Sequence, residues 1–299
     1  MAMPHRRLLQ NLALSRNVIV HDERATSSQA KKTLTLPVWA GNLPVEVTES
    51  KVNLKFLSSS TSDNGIEVFV GEFNGVHYSI NLLENAIEDV STWKSLREIG
   101  FELDDLEVGI ATTATALSQW HEKNKFCSQC GSRNEVSGNG WSRICPNQHQ
   151  VFPRSDPAII CLVTDLDDRA LLARRIDWEA GWMSTLAGFV EAGESAEAAL
   201  AREIKEEAGI EIDLDSIEYL GSQPWPFPHS LMLGYRAIAK DIEISVDMDE
   251  IVEAAWFSRE EFTQACNAGT LKLPPPVSIA SRLIQDWYQA QLQPEWFRK

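Results

Sequence analysis

Hydrophobic positions in this chain form short runs before residue 100 and longer, cleaner ones after residue 150. Apolar or alternating runs at 18–20, 34–38, 52–57, 66–70 and 76–80 predict strands, separated by turn-rich stretches such as SSSTSDNG at 58–65. Helical patterns follow at 91–99 and 105–122. In the second, Leu106, Ile110, Ala114 and Leu117 recur at helical spacing. The run AIICLV at 158–163 predicts a buried strand, and 170–174 a second one after the turn DLDD. A strong helical pattern covers 194–208, strand patterns cover 231–239 and 254–257, and a helix at 278–291 follows the Pro274–Pro276 break. The expected organisation is an α+β domain at 1–120, a compact polar segment at 121–152, an α/β domain at 153–290 and a tail at 291–299. The first domain carries no chemical motif and reads as a packing and dimerisation module.

Composition narrows the function classes. The 299 residues are 43% hydrophobic, enough for sizeable cores without a disulfide framework. Lys+Arg number 27 against 43 Asp+Glu, a formal net charge of −16. Such a chain has no general attraction to nucleic acid or anionic lipid, so an anionic substrate needs a local positive element, most simply metal ions. No window approaches the roughly 18 apolar residues of a membrane span. The start, MAMPHRRLLQNLALSRNV, reads as a first strand and turn rather than a secretory signal.

Three of the five cysteines cluster. Cys127-x2-Cys130-Gly131 is a knuckle of the zinc-ribbon type, and Cys145 follows after fourteen residues. Gln148 stands where a fourth cysteine would complete a strict ribbon, and His149 is the nearest donor. Two readings stand: Cys127, Cys130, Cys145 and His149 hold structural zinc, or the ribbon folds without metal. His121 is a further donor in the preceding helix. Cys161 and Cys266 read as core thiols. Clustered thiols place the chain in a reducing compartment, the cytoplasm.

The most informative stretch is GFVEAGESAEAALAREIKEEAGI at 188–210. Glu203, Glu206 and Glu207 are spaced i, i+3, i+4, so their carboxylates share an arc of about 100° on one helix face. Three such carboxylates repel one another unless a cation compensates, and hard divalent ions prefer oxygen donors. Arg202 precedes Glu206 by four residues and can hold it. Twelve residues beyond this stretch comes SQPWPFPHS at 222–230, stiffened by three prolines.

Gly188, Glu194, Arg202, Glu203, Ile204, Glu206, Glu207, Gly209 and Ile210 match, position for position, the 23-residue signature that Nudix hydrolases carry. SQPWPFPHS resembles the marker of the NADH pyrophosphatase subfamily, with EIVEAAWF and LPPPVSIASRLIQDW further on in agreement. The three-cysteine ribbon departs from the usual four-cysteine pattern of that subfamily. The resemblance implies an α/β/α sandwich with a mixed sheet. It implies hydrolysis of the NAD(H) pyrophosphate to nicotinamide mononucleotide and AMP, and removal of NAD caps from RNA 5′ ends. It implies Mg2+ or Mn2+ on Glu203, Glu206, Glu207 and Glu250, with Glu253 a weaker candidate and Arg202 beside them. It implies a homodimer, and a substrate pocket of Phe152, Phe189, Gln223, Ser230, Met232 and Ala280, with Phe152 contributed by the partner chain. Competing readings are a Nudix hydrolase of ADP-ribose or dinucleoside polyphosphates, and a nucleic-acid-binding protein on a Nudix scaffold.

Overall fold

The computed structural model describes residues 32–48, 51–57, 65–88 and 90–297. The chain divides into two compact units, each with its own sheet.

The first unit contains β1 (Lys32–Trp39), β2 (Asn42–Val47), β3 (Val52–Leu54), β4 (Gly65–Phe73), β5 (Val76–Leu83) and β6 (Trp93–Ser95). Their order is β3-β2-β1-β5-β4, with β6 on β2 and β1 parallel to β5. Helix α1 (Leu96–Ile99) is one turn, and α2 (Asp105–Lys123) runs long behind an Asp104 cap that accepts the N–H groups of Leu106 and Glu107. The helix expected at 91–99 is thus mostly strand and cap: Trp93–Ser95 pairs with β2, and only the last turn is helical. The strand expected at 18–20 lies outside the described residues.

The polar segment clusters with this unit. Strands β7 (Glu135–Ser137), β8 (Ser142–Ile144) and β9 (Gln150–Val151) form a small sheet inside the first unit. The Trp141 indole donates to the Phe69 carbonyl of β4 at 2.9 Å, which ties that sheet to the larger one. The stiff segment Pro224–His229 also clusters with this unit. Gln119 of α2 donates to the Pro226 carbonyl at 2.6 Å, and the Arg97 guanidinium lies 4.1 Å from the Phe227 ring centroid.

The second unit has the sheet order β13-β14-β10-β11-β15, with β12 also on β10. Its elements are β10 (Asp156–Thr164), β11 (Ala170–Arg175), β12 (Leu186–Phe189), α3 (Ala196–Ala208), β13 (Ile212–Trp225), β14 (Ser230–Ala239), β15 (Ile251–Phe257), α4 (Arg259–Ala268) and α5 (Ile279–Tyr288). β10 runs parallel to β14 and antiparallel to β11 and β12, so the sheet is mixed. Alternation along β10 feeds two cores. Ile159, Cys161 and Val163 pack under α3 with Leu200, Ile204 and Ala208. Ile160 and Leu162 pack under α4 and α5 with Phe262, Leu283 and Trp287. This is an α/β/α sandwich. The expected tail belongs to it: Leu292 and Trp296 are buried in the second core, and the Trp296 carbonyl accepts the Leu273 N–H at 2.9 Å. Among the described residues no helix is long and apolar enough to cross a membrane.

Candidate active site

Helix α3 begins at Ser195, whose hydroxyl accepts the Ala198 N–H at 3.1 Å, and ends at Gly209 in the left-handed region, φ 73°. Between these caps Glu203, Glu206 and Glu207 project from one stripe. The Glu207 side chain is almost entirely buried, at 4% exposure. The Ala187 N–H bonds its carboxylate, and its Oε2 has no partner. Burial, followed by the nearby charges of Glu250 and Glu203, pushes its pKa up to about 8. Burial also raises Glu203, against the opposing pull of Arg202.

Strand β12 brings Gly188 under this helix, paired with Ile159. A Cβ on Gly188 would stand 1.9 Å from the Glu203 carboxyl carbon. The glycine is needed for close approach: the carboxylate lies on the backbone where a side chain would be.

Arg202 does more than hold Glu206. Its guanidinium takes Glu194 through both oxygens at 2.9 Å, Glu203 at 2.9 Å, Glu206 at 3.1 Å and the Phe189 carbonyl at 2.9 Å. Glu194 lies in the loop ahead of α3, outside the helix expected to include it. Arg202 and the Glu191 N–H draw its pKa down to about 2. Arg202 therefore knits the loop, the strand end and the helix face into one frame, and every N–H direction of its fork is in use.

Glu250 arrives from the loop before β15. Asp247 accepts the N–H groups of Asp249, Glu250 and Ile251, and fixes that turn. The Glu250 carboxylate meets the Arg175 guanidinium. Glu253 takes a different place. It pairs in register with Arg174 and bonds its Nε at 2.8 Å, on the same sheet face as Leu172, which belongs to the α4/α5 core. Alternation thus puts Glu253 on the face opposite α3, so this weaker candidate stands apart from the carboxylate cluster.

Glu203 and Glu207 thus converge with Glu250, with a buried oxygen left unpartnered and with the pKa values of Glu203 and Glu207 raised by burial first and by neighbouring carboxylate charge second. An all-oxygen donor set of this kind fits a hard divalent ion, which would supply the missing positive charge.

The expected pocket residues separate into groups. Phe189, Ala158 and Met232 form one row across β12, β10 and β14. Phe189 is 55% exposed there, a free aromatic face at the rim. Ser230 opens β14 opposite Asp156 and is half-buried. Gln223 is fully buried: its Oε1 accepts the Ile279 N–H at 2.7 Å and its Nε2 donates to the Val277 carbonyl at 2.9 Å. Ala280 is buried in the core under α5. In this structure Gln223 pins the start of α5, and neither side chain presents a surface to a ligand. Phe152 belongs to the first unit, just after β9, and is 58% exposed.

The second cluster is the ribbon. The donor atoms of Cys127, Cys130, Cys145 and His149 all lie within 4.8 Å of one another. Cys130 Sγ is 3.7 Å from Cys145 Sγ, and Cys127 Sγ is 3.5 Å from His149 Nδ1. A tetrahedron with Zn–S of about 2.3 Å and Zn–N of about 2.0–2.1 Å has edges of about 3.8 Å and 3.6 Å, so the donor set fits zinc. The two knuckles differ by one residue. In the first, Gly131 with φ 73° follows Cys130; in the second, Gln148 with φ 64° precedes the donor, and His149 reaches in from one position later. Hydrogen bonds from Ser132 and Asn147 pull Cys130 down to about 5. His121 is excluded as a ligand. Its Nδ1 accepts from Arg143 at 3.0 Å and its Nε2 contacts the Gly140 carbonyl at 2.8 Å, and burial lowers its pKa to about 4.

Comparison with known families gives two matches. The NUDIX domain model covers residues 154–274, which contain the whole carboxylate cluster. Residues 154–274 carry a Nudix domain. Ahead of that domain, the NADH pyrophosphatase zinc ribbon domain covers residues 122–148. The NAD-capped RNA hydrolase NudC of Mycobacterium bovis is 46% identical over 202 residues, 64% of this chain and 64% of its own. The human NAD-capped RNA hydrolase NUDT12 is 36% identical over 199 residues, 62% of this chain and 43% of its own. The chain thus spans less than two thirds of the length of these relatives. A crystal structure of a NUDIX hydrolase from Nitrosomonas europaea aligns with a TM-score of 0.40 and 26% identity, over 46% of this chain and 79% of that one.

Proposed function

We propose that this Nudix protein hydrolyses the pyrophosphate of NAD(H) to nicotinamide mononucleotide and AMP, and by the same cut removes NAD caps from RNA 5′ ends. The observation that carries this reading is the buried, partnerless Glu207 oxygen amid Glu203 and Glu250, on the Nudix helix. The ribbon match and the similarity to two NAD-capped RNA hydrolases support the choice of substrate.

Glu203, Glu206, Glu207 and Glu250 would hold Mg2+ or Mn2+. Bound there, the ions supply Lewis acidity at the pyrophosphate and activate water. The protein's own contribution is positional. Arg202 fixes Glu203 and Glu206 against the loop, and the Ala187 N–H fixes Glu207. Phe189 offers its exposed ring to a flat base. Water attacks one phosphorus, the P–O–P bridge breaks, and each product keeps one phosphate. Cys127, Cys130, Cys145 and His149 hold zinc in a structural role, and the clustered thiols suit the cytoplasm. The working form is a homodimer, in which the exposed Phe152 of the second copy completes the pocket.

The test is a substrate panel: NADH, NAD+, ADP-ribose and NAD-capped RNA with Mg2+ or Mn2+, compared by kcat/KM. NAD compounds should lead by at least an order of magnitude. Rapid cleavage of ADP-ribose with NADH untouched would leave the Nudix assignment standing and refute the substrate.

A further inference from the structure

The carboxylate cluster contains a second cation with a role that Arg202 cannot fill. On β11, Leu171 and Ala173 face the core under α3, and Leu172 faces the other. Alternation then brings Arg175 out on the α3 side, the side of the glutamates, and Arg174 on the far side with Glu253. The ladder to β15 is irregular at this point. Arg174 pairs with Glu253 and Arg175 with Ile251, so Val252 is skipped. Bulges of this kind re-aim side chains beside active sites. Here the Ile176 N–H bonds the Glu250 carbonyl at 2.9 Å, which keeps Glu250 beside Arg175.

The two arginines differ in how fully they are engaged. Arg202 makes five hydrogen bonds to four partners and is 25% exposed. Arg175 bonds Glu250, makes a long 3.4 Å contact to Asp177 and is 41% exposed. Glu250 is itself a proposed metal ligand. A chain with a net charge of −16 must meet a diphosphate with local positive charge, and a guanidinium fork matches phosphate oxygens.

We infer that Arg175 is a substrate-contacting residue: it holds Glu250 in the metal-free protein and turns to the substrate's pyrophosphate once Glu250 passes to a divalent ion. This rests on the pyrophosphate reading of the site.

The experiment compares wild type with Arg175→Gln and Arg175→Lys. Mn2+ is titrated without substrate by electron paramagnetic resonance. Binding of inorganic pyrophosphate to the Mn2+-loaded protein, and KM for NADH, are then measured. Arg175→Gln should bind Mn2+ as tightly as wild type or more tightly, because Glu250 is released from a competitor. Its pyrophosphate affinity should fall, and its KM rise, by about 10- to 100-fold, with Arg175→Lys between. Weaker Mn2+ binding with unchanged pyrophosphate affinity would overturn the inference, since Arg175 would then only orient Glu250. A wild type inactive on NADH would refute the proposed substrate instead, while the Mn2+ and pyrophosphate titrations would still decide the role of Arg175.

Discussion

Substituting Gly188 by alanine adds one methyl group and tests the metal site at a single point. The new Cβ would lie 1.9 Å from the Glu203 carboxyl carbon and 2.2–2.3 Å from its oxygens. Ordinary carbon contacts begin near 3.5 Å, so the carboxylate must retreat by about 1.5 Å. That breaks the 2.9 Å bond from Arg202, a charge-assisted contact worth about 1.5–3 kcal/mol before its partial exposure is discounted. Alanine in a strand recovers about 0.5–1 kcal/mol relative to glycine. Gly188 is not among the glycines at positive φ, so alanine introduces no backbone strain there. The net change in folding stability should stay within about 1–2 kcal/mol, and thermal unfolding should show a fold retained with Tm lowered by only a few degrees. Displacing a ligand should shift the metal concentration for half-maximal turnover upward by about 10- to 100-fold. The assay is Mn2+ dependence of NADH hydrolysis alongside Tm. An unchanged metal curve would refute the placement of Glu203 as a ligand, and loss of the fold would show that something stiffer than a side-chain carboxylate sits over Gly188.

Other consequences follow from the same geometry. Glu207→Gln should keep the fold and remove most hydrolysis; near-normal turnover with unchanged Tm would end its assignment as a ligand. Because folding raises the Glu207 pKa from about 4.5 to about 8, its protonated form stabilises the metal-free protein at low pH. That contribution is full below about pH 4.5 and is lost as pH rises through 8, with a ceiling of about 5 kcal/mol from 3.5 units at 1.36 kcal/mol each. Chelated protein should therefore lose stability between about pH 5 and 8 and regain it with Mn2+, and Glu207→Gln should flatten that slope in urea melts. Glu194 and Glu98, both lowered to about 2, act in the opposite sense and only below about pH 4.5. One equivalent of zinc should co-purify with untagged protein by metal analysis, and less than about a tenth would favour a metal-free ribbon. Phe189→Ala should raise KM for NADH by about 2- to 13-fold with kcat unchanged, a loss of one stacking face. A hundredfold fall in kcat at constant KM would instead make Phe189 part of the catalytic loop's frame.

The carboxylate helix was legible because its chemistry is local: three acids at helical spacing need no tertiary information. The partners of Arg202 were less so. Glu194 lies eight residues away, and its contact depends on the loop folding back. Glu250 was reachable only through the family resemblance, since the strand ladder brings it beside α3. Strand β13 leaves little trace in the sequence because Ile212–Trp225 is acid-rich, contains Gly221 and Pro224, and is half-buried over much of its length, so no period-two pattern stands out. Trp93–Ser95 took a helical pattern into a strand because β2 offered an edge. The burial of Gln223 and Ala280 follows from where α5 packs, which spacing does not encode. The ribbon was legible down to His149, and the reason the donor comes one residue late is the left-handed Gln148.

The central claim is that this Nudix cluster cuts a dinucleotide between its two phosphates. Product analysis of NADH incubated with the purified protein and Mn2+ tests it most directly, by chromatography with phosphate detection. The account predicts reduced nicotinamide mononucleotide and AMP in equal amounts, no inorganic phosphate, and no reaction with Glu207→Gln. Free nicotinamide, free phosphate or an intact dinucleotide would contradict it.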